Sequence, residues 1–231
     1  DGFPEPDQAA HPITAITIKS TKSAFYQVWG CGDYDVSKTP HKHLHIRYHK
    51  CEDEYDLLEK FMKWWVSSYP EVLTGWNIRN FDIPYIVNRV TKLFGVNVVN
   101  KLSPWGMIRP KTVTLKSKTM TQQQISGMSQ LDYMDLFQKF GYSYGPQESY
   151  ALNHIAHVVL GEKKLSYAEY GSLRNLYKEN HQLYIDYNIK DVELIDRMDE
   201  KLDLIGLGFT LAYKAGVNFT DIFGTTAIWD S

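Results

Sequence analysis

Cysteine is nearly absent from this chain: Cys31 and Cys51 are the only two in 231 residues. That excludes a disulfide-stapled scaffold and a cysteine-rich metal site, since the pair has no metal-ligand spacing. A reduced, intracellular protein is the simplest expectation, with one disulfide between the two left open. No apolar run is long enough to span a bilayer and no signal-peptide pattern is legible, so no membrane partner is expected. Excess charge is lacking too. Lys and Arg number 25 against 27 Asp and Glu, a net charge of -2, so the whole-chain charge does not announce a nucleic-acid binder. The most informative absence is local: no Asp or Glu occurs between Asp82 and Asp132. That interval holds Arg89, Lys92, Lys101, Arg109, Lys111, Lys116 and Lys118, with Tyr85, Phe94 and Trp105 interleaved. Such a stretch can follow a phosphate backbone and stack bases, or it can be a solvated region balanced by acids elsewhere in space.

Apolar residues make up 43% of the chain and aromatics 14%, ample for the core of one large domain or two small ones. His11–Lys19 and Ala24–Trp29 alternate as two strands joined across Ser20–Ser23, and His43–Tyr48 alternates as a third. His41, His43, His45 and His49 invite a zinc site, and alternation sends 43 and 45 the same way, but no acid or cysteine completes a set. Glu52–Ser68 carries a helical apolar face of Tyr55, Leu58, Phe61, Met62, Trp65 and Val66. Val96–Lys111 reads mostly as loop, Thr112–Ile125 as a projecting β-hairpin, and Gln130–Phe140 as a short strand or turn before a helix. In that last stretch Asp132 is read as an N-cap and Asp135 as first-turn charge. Helices follow at Tyr150–Val159, Ser172–Glu179 and Leu183–Leu202, and the pattern loosens from Asp203. Strands first, then alternating helices and strands, predict an α/β sheet flanked by helices.

Two acids stand out. In Thr74–Tyr85, TGWNIRNFDIPY, a short strand at Glu71–Thr74 runs toward Asp82, and Ile83, Ile86, Val87, Val90 and Phe94 have helical spacing. Asn80 suits an N-cap and Pro84 a first turn, which places Asp82 at a helix mouth, where free backbone N–H groups and the dipole stabilise a carboxylate. It is then a structural cap or a working acid. Asp191 falls within the inward stripe Tyr184, Tyr187, Asp191, Ile195, Met198 and Leu202, with Tyr187 one turn before it on the same face. A carboxylate on a buried face needs a backbone donor, a cationic partner, a proton or a metal.

NFDIPY together with Tyr187-x-x-x-Asp191 resembles the second and third exonuclease motifs of family B DNA polymerases, most of all the proofreading domain of T-even-like bacteriophage polymerases. DGFPEP, HPITAIT, LTGWN, KLSP, LDYMDLFQKF and NHQLYIDYNIKD are similar to that group in the same order and cover nearly the whole chain. The resemblance implies a ribonuclease-H-like mixed sheet and two-metal hydrolysis of a phosphodiester at a DNA 3′ end. It implies two divalent cations, Mg²⁺ or Mn²⁺, on Asp82 and Asp191. Tyr187 would orient the attacking water and Lys164 would offset charge near the phosphate. Phe3, Asn77, Phe81 and Met120 are the implied contacts to DNA. The implied partners are single-stranded DNA or a frayed primer end and the remaining polymerase segments, in the cytoplasm of an infected bacterial host. Residues 1–202 would form the exonuclease-like domain and 203–231 an exit segment toward a polymerase palm. The family's first motif, Asp-x-Glu, is expected a few residues before Asp1, and Asp1, Glu5 and Asp7 do not reproduce it. This implies weak or absent catalysis by the polypeptide alone, the alternative being a catalytically silent DNA-binding or structural domain of the same fold.

Overall fold

The computed structural model describes residues 4–115, 118–162 and 168–223, so Phe3 and Lys164 lie outside the described residues. Strand β1 (Ala15–Lys19) turns at Ser20–Ser23 into β2 (Phe25–Gly30), and the two pair antiparallel with Lys19 opposite Tyr26. Strand β3 (His45–Lys50) runs parallel to β2, with Phe25 opposite His45. The middle strand β2 is buried from Tyr26 to Gly30, as a strand paired on both edges and covered on both faces should be.

Helix α1 (Glu54–Ser67) starts where the Asp53 side chain accepts the Asp56 N–H, and it buries Leu57, Leu58, Phe61, Met62 and Trp65. Strand β4 (Val72–Gly75), helix α2 (Asp82–Phe94) and a single turn, α3 (Val96–Val99), follow. The expected loop at 96–111 is therefore partly ordered: a 3₁₀ turn spans Asn100–Leu102, and strand β5 (Ile108–Leu115) begins within it. Ile108, opposite Ile125, packs against the first core cluster, and this burial recruits the segment into a strand. Strand β6 (Lys118–Ile125) pairs antiparallel with β5, Leu115 facing Lys118. Strand β7 (Ser129–Asp132) returns to lie parallel with β4 and leads into helix α4 (Tyr133–Phe140).

Four helices complete the body: α5 (Leu152–Leu160), α6 (Leu173–Glu179), α7 (His181–Leu202) and α8 (Leu204–Ala215). The pattern does not loosen after Asp203. Asp203 takes a left-handed φ of 49° between α7 and α8, and α8 then packs Leu204 and Ala212 with Leu136 and Phe137 of α4. Gly208 permits this approach, for a Cβ there would lie 3.1 Å from Ile222 Cδ1. The α/β architecture agrees with a ribonuclease-H-like domain, although the strands form three small sheets, β1-β2-β3, β4-β7 and β5-β6. One core lies under α1 and α2, a second gathers α4, α5, α7 and α8, and a smaller one joins β2 to α7.

Candidate active site

Parallel strands β4 and β7 end side by side, Gly75 opposite Asp132. The carboxyl edge of such strands is where loops collect functional groups in open α/β sheets. Asp132 is fully buried there and caps α4, accepting the Met134 N–H at 3.1 Å. It also accepts the N–H of Asn77 at 2.9 Å and of Arg79 at 3.1 Å. One carboxylate thus ties the turn after β4 to the start of α4. Burial pushes the Asp132 carboxyl up to about 6, against the pull of its backbone donors, and nearby Asp135 adds repulsion. The expected cap and first-turn charge are both present. Asp135 is also engaged by Arg79 at 3.2 Å.

The turn held by Asp132 sets the position of Asp82. Asn77 sits at a left-handed φ of 59°, a conformation Asn tolerates better than most residues. Its carbonyl accepts the N–H groups of Asn80 and Phe81, and its side-chain oxygen accepts from Asn80 Nδ2 at 2.8 Å. Asn77, an implied contact to DNA, thus also builds the turn with its side-chain oxygen. Asn80 is not the N-cap of α2. Its amide bonds Asn77 and Gln122 instead, Phe81 occupies the cap position, and Asp82 is the first helical residue.

Asp82 is open to solvent at the helix mouth, yet its carboxyl is pushed up to about 6. Crowding that displaces water comes first, followed among the raising causes by repulsion from Asp132 and Asp191. Because water still reaches Asp82, repulsion by its two neighbours is the more durable part of that shift. Asp191, 109 positions further along the sequence, is thus among the charges that act on Asp82. Asp191 lies on α7 with Oδ1 shielded from solvent, and Tyr187, one turn earlier, is buried. Phe81 stacks on Tyr85 with ring centres 5.7 Å apart, and Met120 is half-buried on β6 opposite Val113.

Several expected surface groups are structural instead. The Tyr85 ring is buried, its hydroxyl donating to the His11 carbonyl at 2.7 Å. Arg89 is buried against Glu54, at 2.6 and 2.7 Å, and also donates to the Ala9 carbonyl. Phe94 packs edge-on against Tyr55. Lys101, Trp105, Arg109 and Lys111 remain exposed.

Periodicity missed two further acids. Glu193 is buried on α7 and receives His41 Nδ1 at 3.0 Å, His43 Nε2 at 2.8 Å and Lys190 Nζ at 3.1 Å. Burial pushes its carboxyl up, but those three partners more than reverse the effect and hold it down at about 2. One helical heptad earlier, Asp186 accepts the hydroxyls of Tyr34 at 2.7 Å and Thr39 at 2.6 Å. The signal was available in the seven-residue spacing of the acids and in the paired histidines. The alternation expected for His43 does not apply, because β3 begins only at His45. Among the described residues, no group of three or more His, Cys, Asp or Glu side chains is arranged to hold a metal ion. Nor is any helix among them long and apolar enough to cross a membrane.

Comparison with known proteins identifies the family. A family model described as the exonuclease domain of DNA polymerase family B matches residues 1–155. The chain is 34% identical over 254 aligned positions to a DNA-directed DNA polymerase of Escherichia phage RB69, covering 100% of this chain and 27% of that protein. It is 31% identical to the DNA-directed DNA polymerase of Enterobacteria phage T4, covering 100% of this chain and 28% of that protein. A DNA polymerase delta catalytic subunit of Dictyostelium discoideum is 29% identical, over 96% of this chain and 20% of that protein. The chain thus spans about a quarter of the length of the two phage relatives. On these similarities the chain belongs to the exonuclease domain family of family B DNA polymerases.

Proposed function

We propose that this chain is the 3′-5′ proofreading exonuclease module of a phage-type DNA polymerase, hydrolysing the terminal phosphodiester of single-stranded DNA or a frayed primer end. What carries this reading is the match to the family's exonuclease domain, and the influence of Asp191 on the raised Asp82 carboxyl supports it. Such a pair suits a hard divalent cation, because carboxylate oxygens are the donors Mg²⁺ and Mn²⁺ take and a cation relieves the mutual repulsion. Asp132 belongs to the scaffold in this reading, both its oxygens being taken by backbone amides. Asp82 and Asp191 would hold the ions, which would supply an activated water and neutralise the leaving 3′ oxygen.

The chain's own residues do the rest. Tyr187 orients the attacking water from the helical turn before Asp191, and Lys164 offsets negative charge at the phosphate. Phe81, Met120 and Phe3 meet the bases of the unpaired end, and Asn77 shapes the floor on which they lie. A mispaired end enters more readily because less pairing must be broken. Residues 1–202 carry the site and 203–231 lead toward the other polymerase segments, which act with it in the cytoplasm of an infected bacterium. Two carboxylates alone neutralise a pair of divalent ions poorly. With Asp82 and Asp191 as the assigned ligands, cleavage is weak. Calorimetric titration with Mn²⁺ tests the ligand assignment without requiring turnover. Asp82→Ala and Asp191→Ala should each weaken binding at least about tenfold, given the cost of losing one anionic ligand. Undiminished binding in both variants would remove the basis for this site.

A further inference from the structure

The turn that delivers Asp82 is held from two sides, and Asp132 is only one of them. On the other side stands Gln122, buried on β6 and 42 positions from Asn80. Its Nε2 donates to Asn80 Oδ1 at 2.7 Å, and its Oε1 accepts from Arg79 Nη2 at 3.3 Å. Asn80 Nδ2 then donates to Asn77 Oδ1 at 2.8 Å. The direction of this relay is forced. A guanidinium only donates, so Gln122 turns its oxygen to Arg79 and its nitrogen to Asn80. Asn80 must then offer its oxygen to Gln122 and its nitrogen to Asn77. Arg79 is itself held, its Nη1 lying 3.2 Å from Asp135 Oδ2 in the first turn of α4. One guanidinium and two amides thus carry a single orientation from α4, by way of β6, to the backbone just before α2.

Asp132 closes the loop through the N–H groups of Asn77 and Arg79. Between them Ile78 is buried, and its carbonyl accepts the Ile83 N–H at 3.0 Å. Asp82 opens α2 two residues after Asn80, so its placement follows that of the turn. The strand that carries Gln122 is anchored independently. Gln130 of β7, also buried, donates to the Gln123 carbonyl at 2.8 Å, and Ile125 belongs to the first core. The base of β6 is therefore a firm mount. Strand pairing does not require an amide at position 122, because the ladder uses only the backbone. An apolar side chain of the same length would fill the same space. It would lack the two bonds that hold Asn80 and Arg79 in register.

We infer that Gln122 is a positioning residue for the cleavage, setting the place of the Asp82 carboxylate from β6 through Asn80. It touches neither metal nor DNA in this role, and the role rests on the exonuclease reading for what Asp82 does. The test is calorimetric titration of the whole chain with Mn²⁺, beside anisotropy of labelled oligo(dT) in EDTA. Gln122→Met keeps the length of the side chain and loses both of its hydrogen bonds. It should weaken Mn²⁺ binding about tenfold, the low end for a group that orients a ligand from behind. Its affinity for the strand in EDTA should be unchanged. Asn80→Ala breaks the same link from the other end and should weaken Mn²⁺ similarly. The double variant should bind Mn²⁺ no more weakly than Asn80→Ala alone, since both changes cut one path. Full Mn²⁺ affinity in Gln122→Met, with Asp82→Ala still weakened, would overturn the relay and leave the exonuclease reading standing. Losses that add in the double variant, or a fall in strand affinity in Gln122→Met, would overturn it as well. Full Mn²⁺ affinity in Asp82→Ala would remove the ligand assignment and the positioning role with it.

Discussion

Asp132 carries a charge that the fold discourages. It is fully buried and its carboxyl stays protonated up to about 6, whereas in an unfolded chain it ionises near the ordinary carboxylate range of about 4. Between those values the folded state binds the extra proton, so this group's contribution to stability falls as pH rises from about 4 to about 6 and is constant above. Asp132→Asn keeps one accepting oxygen and loses the titration. In urea unfolding, the variant's stability relative to the parent should improve by about 2–3 kcal/mol between pH 4 and pH 7. A pH-independent difference would contradict the buried charge. Asn77 supports the same turn through its left-handed φ of 59° and its bond to Asn80. Replacing it by Ala adds steric strain that Gly avoids, so Asn77→Ala should be less stable than Asn77→Gly by about 1 kcal/mol in thermal unfolding. The sequence made Asp82 and Asp191 visible as candidate working acids and Asp132 as a cap. It could not show that Asn80 forgoes the cap to bond Asn77 and Gln122, because that choice depends on β6 arriving from more than 40 positions away.

At the scale of elements, α7 carries Tyr187 and Asp191, and its position depends on acids that face elsewhere. Glu193 gathers His41, His43 and Lys190, and Asp186 gathers Tyr34 and Thr39, so the segment before β3 is fastened to α7 at two points seven residues apart. Removing Glu193 leaves buried donors uncompensated. Glu193→Ala should cost about 3–5 kcal/mol of stability, measured by chemical denaturation. A loss under 1 kcal/mol would show the cluster to be incidental. Since the Glu193 carboxyl is held down at about 2, its contribution is fully present above pH of about 4.5 and is lost only as pH falls further. The helices were legible because apolar spacing and caps are local: α1, α5 and α6 all begin or end within two residues of the sequence-based boundaries. The inward stripe on α7 was less so. Apolar periodicity discounts Asp186 and Glu193, whose burial is made tolerable by partners some 150 positions distant.

At the scale of the molecule, helices packed on small sheets set Asp82 at the mouth of α2, where the charge of Asp191 on α7 acts on it. The α/β class followed from the order of elements. The partition into three sheets did not, because strand pairing such as β4 with β7 is set by non-local hydrogen bonding that no local pattern records. Nor was the packing of α8 onto α4 legible, its glycines suggesting a loop until Gly208 is seen to admit Ile222. The central claim is that Asp82 and Asp191 serve one metal-dependent cleavage, and degradation of a 3′ end tests it most directly. The assay uses a single strand labelled at its 5′ end, Mg²⁺ or Mn²⁺, and the chain beside its Asp82→Ala and Asp191→Ala variants. The account predicts slow stepwise shortening from the 3′ end by the chain and a loss of at least about a thousandfold in either variant. Undiminished shortening in both variants, or none by the chain while it still binds the strand, would contradict it.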